Sequence, residues 1–344
     1  MALPHIRSFG FSCAAADALA DFYVEHLGFR RGETRVLGGV YAELVGLPGS
    51  RLKVVRLHVG AETLELSQVL ELGPGLRPGR PIPADSRSTD LWFQHVCLVT
   101  PDLEAAAAPV LAELAAGRLR PISTAPQTLP QDNPAAAGIV AFKFHDPEGH
   151  GLELLQFPPD KGEPRWHPAA AGAAASAVAS PTGPGATGPL LGIDHSAIGI
   201  ADSARSGRFY EGLLGLSLGG DGINHGVEQD RLDGLEGTRV RITGHRAPEG
   251  PGVECLDYRE PTGGRPMPAD QNAADAAHWQ IRLAVRDLEG IAAGVAKAGG
   301  RAVRPGAAGL EPLELELETA QALGFRRALQ VRDPDGHALQ LVSD

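Results

Sequence analysis

Four side chains carry most of the chemistry this sequence offers. His95 stands in an apolar run after Trp92-Phe93-Gln94, and His195 stands in the parallel run Gly192-Ile193-Asp194-His195-Ser196. Glu65 and Glu153 each sit inside a Leu-Glu-Leu triplet. Alternate residues of a strand point to one face, so a polar residue among apolar ones either faces solvent or lines a site. Imidazole and carboxylate groups transfer protons and bind divalent first-row metals. For Glu65 the solvent-facing reading competes with the site reading. His150 and His337, which follow turn glycines, read as exposed turn residues. Trp166 and His167 read as packing residues at a domain boundary.

The elements that hold these residues are legible from a repeat. Phe22-Tyr23…Leu27-Gly28-Phe29 matches Phe209-Tyr210…Leu214-Gly215-Leu216 at an offset of 187 residues, and Asp146-Pro147-Glu148-Gly149-His150 matches Asp333-Pro334-Asp335-Gly336-His337 at the same offset. Gly79-Arg80-Pro81-Ile82-Pro83-Ala84-Asp85 matches Gly264-Arg265-Pro266-Met267-Pro268-Ala269-Asp270 at 185. Three matches in register indicate a tandem duplication. Each half repeats again. A short apolar strand leads to an Asp at a helix N-cap, as at Asp102, Asp202 and Asp287, then to an Ala/Leu-rich helix. Apolar segments broken by Gly, Pro and Asp follow, with Asp-Pro-Glu-Gly and Asp-Pro-Asp-Gly as hairpin turns. The spacing predicts four β-α-β-β-β modules, at about 1–78, 91–160, 190–262 and 276–344. The Ala/Gly/Pro stretch 168–189 reads as a flexible linker, which puts residues 1–167 in one domain and 190–344 in the other.

Composition narrows the function. A net charge of −11 argues against a nucleic-acid partner. No apolar run reaches the length of a membrane span, and the N-terminus lacks a signal-peptide pattern. Cys13, Cys97 and Cys255 show no CxxC spacing, which fits a reducing cytoplasm. A homodimer stays open.

Together the Phe-Tyr…Leu-Gly-Phe helix, the His-initiated strand before Asp102-Leu103 and Asp-Pro-Glu-Gly-His-Gly-Leu-Glu resemble the vicinal oxygen chelate superfamily. That superfamily includes glyoxalase I, methylmalonyl-CoA epimerase, extradiol dioxygenases and the bleomycin- and fosfomycin-resistance proteins. The resemblance implies an α+β fold in which the four modules pair into two cupped mixed sheets, each around one divalent metal. Carried over by position, it offers Ser8, Glu65, His95 and Glu153 in the first half, and His195, Glu254, Gln280 and Gln340 in the second. The implied metal ligands are His95, Glu153 and Glu65 for one site and His195, Glu254 and Gln280 for the other. Ser8 and Gln340 are the implied substrate contacts, and Arg87, in the polar connector after the first module, is a third candidate. Such donors suit Fe²⁺, Mn²⁺, Ni²⁺ or Zn²⁺.

The resemblance implies a metal-dependent isomerase, epimerase or lyase acting on a small substrate with adjacent oxygens, with Glu153 or Glu65 shuttling the proton. Two alternatives are a ring-cleaving iron dioxygenase, whose two-His-one-carboxylate triad neither half contains, and a metal-free binder of the resistance type. The first half, with two carboxylates, is expected to hold a dication more tightly. Without metal those carboxylates should repel, raising one pKa. The polar connector Arg80–Asp90 reads as a solvated link or an anion clamp for a substrate carboxylate. Pro126–Pro134 and Asn224–Gln229 read as cleft rims.

Overall fold

In the computed structural model residues 4–167 and 189–344 are described, and the expected linker falls largely outside them. The first module is β1 (His5–Ser12), a helix at Ala16–Leu27, β2 (Arg30–Leu37), β3 (Arg51–Val59) and β4 (Glu62–Glu71). The second is β5 (Gln94–Val99), a helix at Leu103–Ala115, the short β6 (Arg120–Pro121) and β7 (Gln127–Thr128), β8 (Val140–His145) and β9 (Gly151–Gln156). The third is β10 (Gly192–Gly199), β11 (Ser217–His225), β12 (Arg239–Arg246) and β13 (Gly252–Glu260). The fourth is β14 (Trp279–Ala284), β15 (Arg301–Ala302), β16 (Leu313–Glu314), β17 (Arg327–Arg332) and β18 (Ala338–Ser343). The predicted caps form: Asp102, Asp202 and Asp287 each accept a backbone N–H three residues on. Among the described residues no helix is long and apolar enough to cross a membrane.

The modules do not pair within each half. One nine-stranded sheet runs β15-β17-β18-β14-β1-β4-β3-β2, with β16 also paired to β17, and joins the first module to the fourth; the other runs β11-β12-β13-β10-β5-β9-β8-β6, with β7 also paired to β8, and joins the second to the third. At each centre two first strands lie antiparallel, β1 on β14 and β5 on β10. The division into units 1–167 and 190–344 is therefore corrected: each sheet takes strands from both halves. A single apolar cluster also runs through all four modules, from Phe9 and Tyr23 through Phe142 and Phe209 to Leu341. A duplication shows which strands are equivalent, but equivalent strands make equally good neighbours in either pairing.

The repeated motifs explain what selects this pairing. The Arg80 backbone N–H donates to Asp275 Oδ1 at 2.8 Å and its guanidinium reaches Asp275 and Asp270. In mirror image, the Arg265 N–H donates to Asp90 Oδ1 at 3.0 Å and its guanidinium reaches Asp90 and Asp85. Each copy of the Gly-Arg-Pro motif thus grips the other half of the chain. The glycines are needed for close approach: a Cβ on Gly79 would lie 1.9 Å from the Ala274 carbonyl oxygen, and one on Gly264 would lie 1.8 Å from that of Thr89. The connector is a clasp between protein segments, which supplies the carboxylates expected of a substrate.

The other two repeats join the sheets inside each half. The Tyr23 hydroxyl donates to Asp146 Oδ2 at 3.2 Å, and the Tyr210 hydroxyl donates to Asp333 Oδ2 at 3.0 Å. His150 Nε2 lies 2.9 Å from the Ser12 carbonyl oxygen and His337 Nε2 lies 2.7 Å from that of Gly199. The two histidines are buried, contrary to their reading as exposed turn residues. Asp146 and Asp333 shape the hairpins as predicted, each accepting backbone N–H groups of its own turn.

Candidate metal centre

The second and third modules supply one site between them. In the antiparallel pair β5–β10, His95 stands opposite Ala197 and Cys97 opposite His195. The parallel neighbours place Glu153 beside Cys97 and Glu254 beside Ala197. Small residues at 97 and 197 leave the centre of the cup free for the longer side chains. His95 Nε2 lies 3.2 Å from Glu153 Oε2, His195 Nε2 lies 3.8 Å from that oxygen, and Glu254 Oε2 lies 3.2 Å from His195 Nε2. Ligand atoms of His95, Glu153 and His195 all fall within 4.8 Å of one another. These three are buried, while the Glu254 side chain keeps 27% exposure and closes the group from the solvent side.

The surroundings prepare the donors. His195 Nδ1 lies 2.8 Å from Asp194 Oδ2, which fixes Nδ1 as the proton-bearing nitrogen and turns the Nε2 lone pair into the cup. Asp194 is itself held by Arg246 and by Trp166 Nε1. The packing role expected for Trp166 thus extends to the site. Buried His195 Nε2 has no hydrogen-bond partner. A buried polar atom without a partner is costly, and a cation between two imidazoles and two carboxylates would satisfy it. The donor set therefore fits a divalent metal.

Burial pushes the His95 pKa down to about 4, with Lys143 adding to the effect against the pull of Glu153. Burial alone would raise Glu153, but Lys143 and His95 outweigh it and bring its carboxyl down to about 2. For His195 burial acts downward and is outweighed by Glu254 and Asp194, so its pKa rises. The expected carboxylate repulsion is absent because Glu65 and Glu153 lie in different sheets, each beside a cation.

The cup opens into a cleft of about 650 Å³. Leu129, Leu155, Phe157 and Leu256 are among its apolar lining, and Gly219, Gly220, Gly222 and Gly244 give the wall of the third module little side-chain bulk. Both predicted rims contribute, through Leu129 of Pro126–Pro134 and through Asn224 and Gln229.

Glu65, Gln280, Ser8 and Gln340 converge in the other sheet. Their positions match those of the candidate metal cup, but Arg282 lies between them. Its Nη1 donates to Glu65 Oε1 at 2.7 Å and to Ser8 Oγ at 3.3 Å, and its Nε donates to Gln340 Oε1 at 2.6 Å. Arg56 binds Glu65 from the far side, and Gln330 donates to Gln280 Oε1. The adjoining cavity is about 10 Å³. Here too burial would raise the Glu65 pKa, and the two arginines, Arg282 first, bring it down instead. Glu65 and Gln280 are thus separated from His95 and His195, which corrects the two ligand sets read from the halves. Arg87 is exposed and outside the cleft, with its backbone N–H on Asp90.

Sequence reading missed Lys143, Asp194 and Arg282. The signal existed: Phe142-Lys143-Phe144 and Ile281-Arg282-Leu283 place a charge among apolar strand residues as Leu-Glu-Leu does.

The description Glyoxalase/Bleomycin resistance protein/Dioxygenase superfamily matches residues 192–341. The match covers the third and fourth modules. No curated protein matches it in sequence. Among solved structures, glyoxalase I from Zea mays is 15% identical with a TM-score of 0.57, covering 98% of this chain and 92% of its own. A putative dioxygenase from Bacillus subtilis is 13% identical with a TM-score of 0.53, covering 100% of this chain and 86% of its own. At such identities the likeness is one of fold. It spans nearly the whole chain and both sheets.

Proposed function

We propose that the chain is a divalent-metal enzyme of the vicinal oxygen chelate type that moves a proton on a small substrate with two adjacent oxygens, as an isomerase, epimerase or lyase. The observation that carries this reading is the convergence of His95, Glu153 and His195, with Glu254 at their edge, in a cleft lined by both apolar and polar side chains. When bound, the metal supplies Lewis-acid polarisation of the substrate's oxygens. His95 Nε2, Glu153 Oε2 and His195 Nε2 hold it, and Asp194 keeps His195 in the required tautomer. Glu153, lodged between two imidazoles and Lys143, is a weak base. Glu254 borders the cleft and keeps an open side, so its carboxylate takes the substrate proton and returns it. This reading moves the proton shuttle from Glu153 or Glu65 to Glu254. Leu155, Phe157 and Leu256 shield the reacting atoms from water.

A second reading is an oxygenase, favoured by the two-His-one-carboxylate composition of the buried trio. The halves pool their ligands, so the triad missing from each half no longer counts against it.

The test begins with metal content of the purified protein. Zinc- or nickel-loaded protein is then incubated in deuterium oxide with α-hydroxy ketones and with 2-oxoaldehyde–thiol adducts, reading deuterium at carbon. Glu254→Gln should keep its metal and lose exchange by about 100-fold or more. Oxygen uptake with catechol by iron-loaded protein, without exchange, would favour the oxygenase. Absence of bound metal would favour a binder.

A further inference from the structure

We infer that Asp233 is a positioning residue that holds the buried Lys143 away from Glu153, keeping that carboxylate free for a metal. The inference rests on the metal-binding reading above.

The argument starts from register. The strand residue facing the ligand carboxylate or amide differs in each module: Arg56 opposite Glu65, Lys143 opposite Glu153, Gly244 opposite Glu254 and Gln330 opposite Gln340. In the first module the cation bonds its neighbour, with Arg56 Nε 2.9 Å from Glu65 Oε1, and that cup is closed. In the second module the cation is equally close along the sheet, yet Lys143 Nζ lies 3.9 Å from Glu153 Oε1, beyond hydrogen-bond reach. It donates instead to Asp233 Oδ1 at 2.8 Å.

Asp233 ends the helix Val227–Asp233 of the third module, so the restraint on Lys143 comes from the other half of the chain. It is held in turn. Gln229 Nε2 donates to Asp233 Oδ2 at 2.7 Å, and Asn224 Nδ2 donates to Gln229 Oε1 at 3.1 Å. Asn133 Nδ2 completes the chain by donating to Asn224 Oδ1. All five side chains are buried. A lysine has three rotatable donors on a flexible stem. Without a carboxylate at 233 the buried ammonium has Glu153 as the nearest counter-charge, and pairing there would compete with a metal.

The experiment is a zinc titration of the full chain, with thermal melting to confirm folding. Asp233→Asn should weaken zinc binding by about 10- to 100-fold, the range for residues that support a metal ligand from behind. Adding Lys143→Met to Asp233→Asn should restore affinity to within about threefold of the wild type. A mere packing role for Asp233 would leave the double variant as weak as the single one, which overturns the inference, as does unchanged binding in Asp233→Asn. Should Asp233→Asn alone fail to fold, the comparison is made in the Lys143→Met background. There, adding Asp233→Asn should change zinc affinity by less than about threefold, and a larger loss overturns the inference. Wild-type protein that takes up no zinc overturns this inference together with the metal reading itself.

Discussion

The two cups descend from the same module and share a backbone, yet one is a cleft and the other is closed. In the open cup the residues two places after the histidines are Cys97 and Ala197. In the other sheet the corresponding places hold Gly10 and Arg282. One long cationic side chain reaches Glu65, Ser8 and Gln340, occupying by itself the ground where the other cup gathers its ligands. A guanidinium is a permanent cation carried by the chain, so this cup keeps its buried carboxylate compensated without any ligand. Arg282 at the place of Cys97, with Ser8, Gln280 and Gln340 at the places of His195, His95 and Glu153, makes this cup a structural core on the same strand pattern.

The comparison breaks most visibly at the histidines. Replacing His95 or His195 by Ala should each abolish stoichiometric zinc uptake, measured by elemental analysis, because a single site draws on both halves. Glu65→Gln should leave metal content at the wild-type value. Loss of metal in only one of the histidine variants would mean that the halves bind separately.

The next effect is on stability. Arg282→Met leaves Glu65 buried with only Arg56 beside it. Removing one partner of a buried ion pair costs about 3–5 kcal/mol, to be read from denaturant unfolding. Combining it with Glu65→Gln should recover part of that loss. A neutral Arg282→Met variant would show that the closed cup does not depend on its internal pair.

The smallest effect concerns the clasp that brings the halves into both cups. Burial would raise the Asp90 and Asp275 carboxyls, but hydrogen bonds from Arg265 and from Arg77 and Arg80 hold both below the usual carboxylate range. A carboxyl depressed in the folded state stabilises fully above its unfolded pKa, about 3.9. That contribution fades as the pH falls through the folded value. The melting temperature should therefore drop as pH is lowered below about 4. The drop should be shallower in Asp90→Asn and Asp275→Asn, which start from a lower value. Parallel curves for wild type and variants would remove the clasp from the account.

Much of this was legible in the sequence, though unevenly. The modules, their caps and hairpin turns follow from local patterns. The positions of all eight cup residues were legible too, because they recur at fixed places on repeated strands. Their allocation was not. Which strand β1 or β5 lies against depends on edges that the duplication makes interchangeable. The choice is made by contacts far apart in sequence, such as Arg80 with Asp275. The strongest repeats also proved to be joints rather than ligands: Tyr23 and Asp146, His150 and Ser12. Lys143 and Arg282 went unread because a cation among apolar residues looked like noise while an acid in the same place looked like a ligand.

The crossed pairing has a consequence for how the chain is made. Ser8 and Arg282, neighbours in the finished sheet, are separated by 274 residues. The strands from Gln94 to Glu260 form a contiguous block, so the sheet of the open cup has all its strands before the fourth module is made. The first module emerges earliest and waits longest, its β1 edge unpaired until Trp279–Ala284 leaves the ribosome. An open strand edge is a template for the wrong neighbour. Closing so long a loop adds little equilibrium cost but delays the contact. The interval between the birth of the first strand and the arrival of its partner is thus when a nascent chain is most exposed to pairing with another copy of itself.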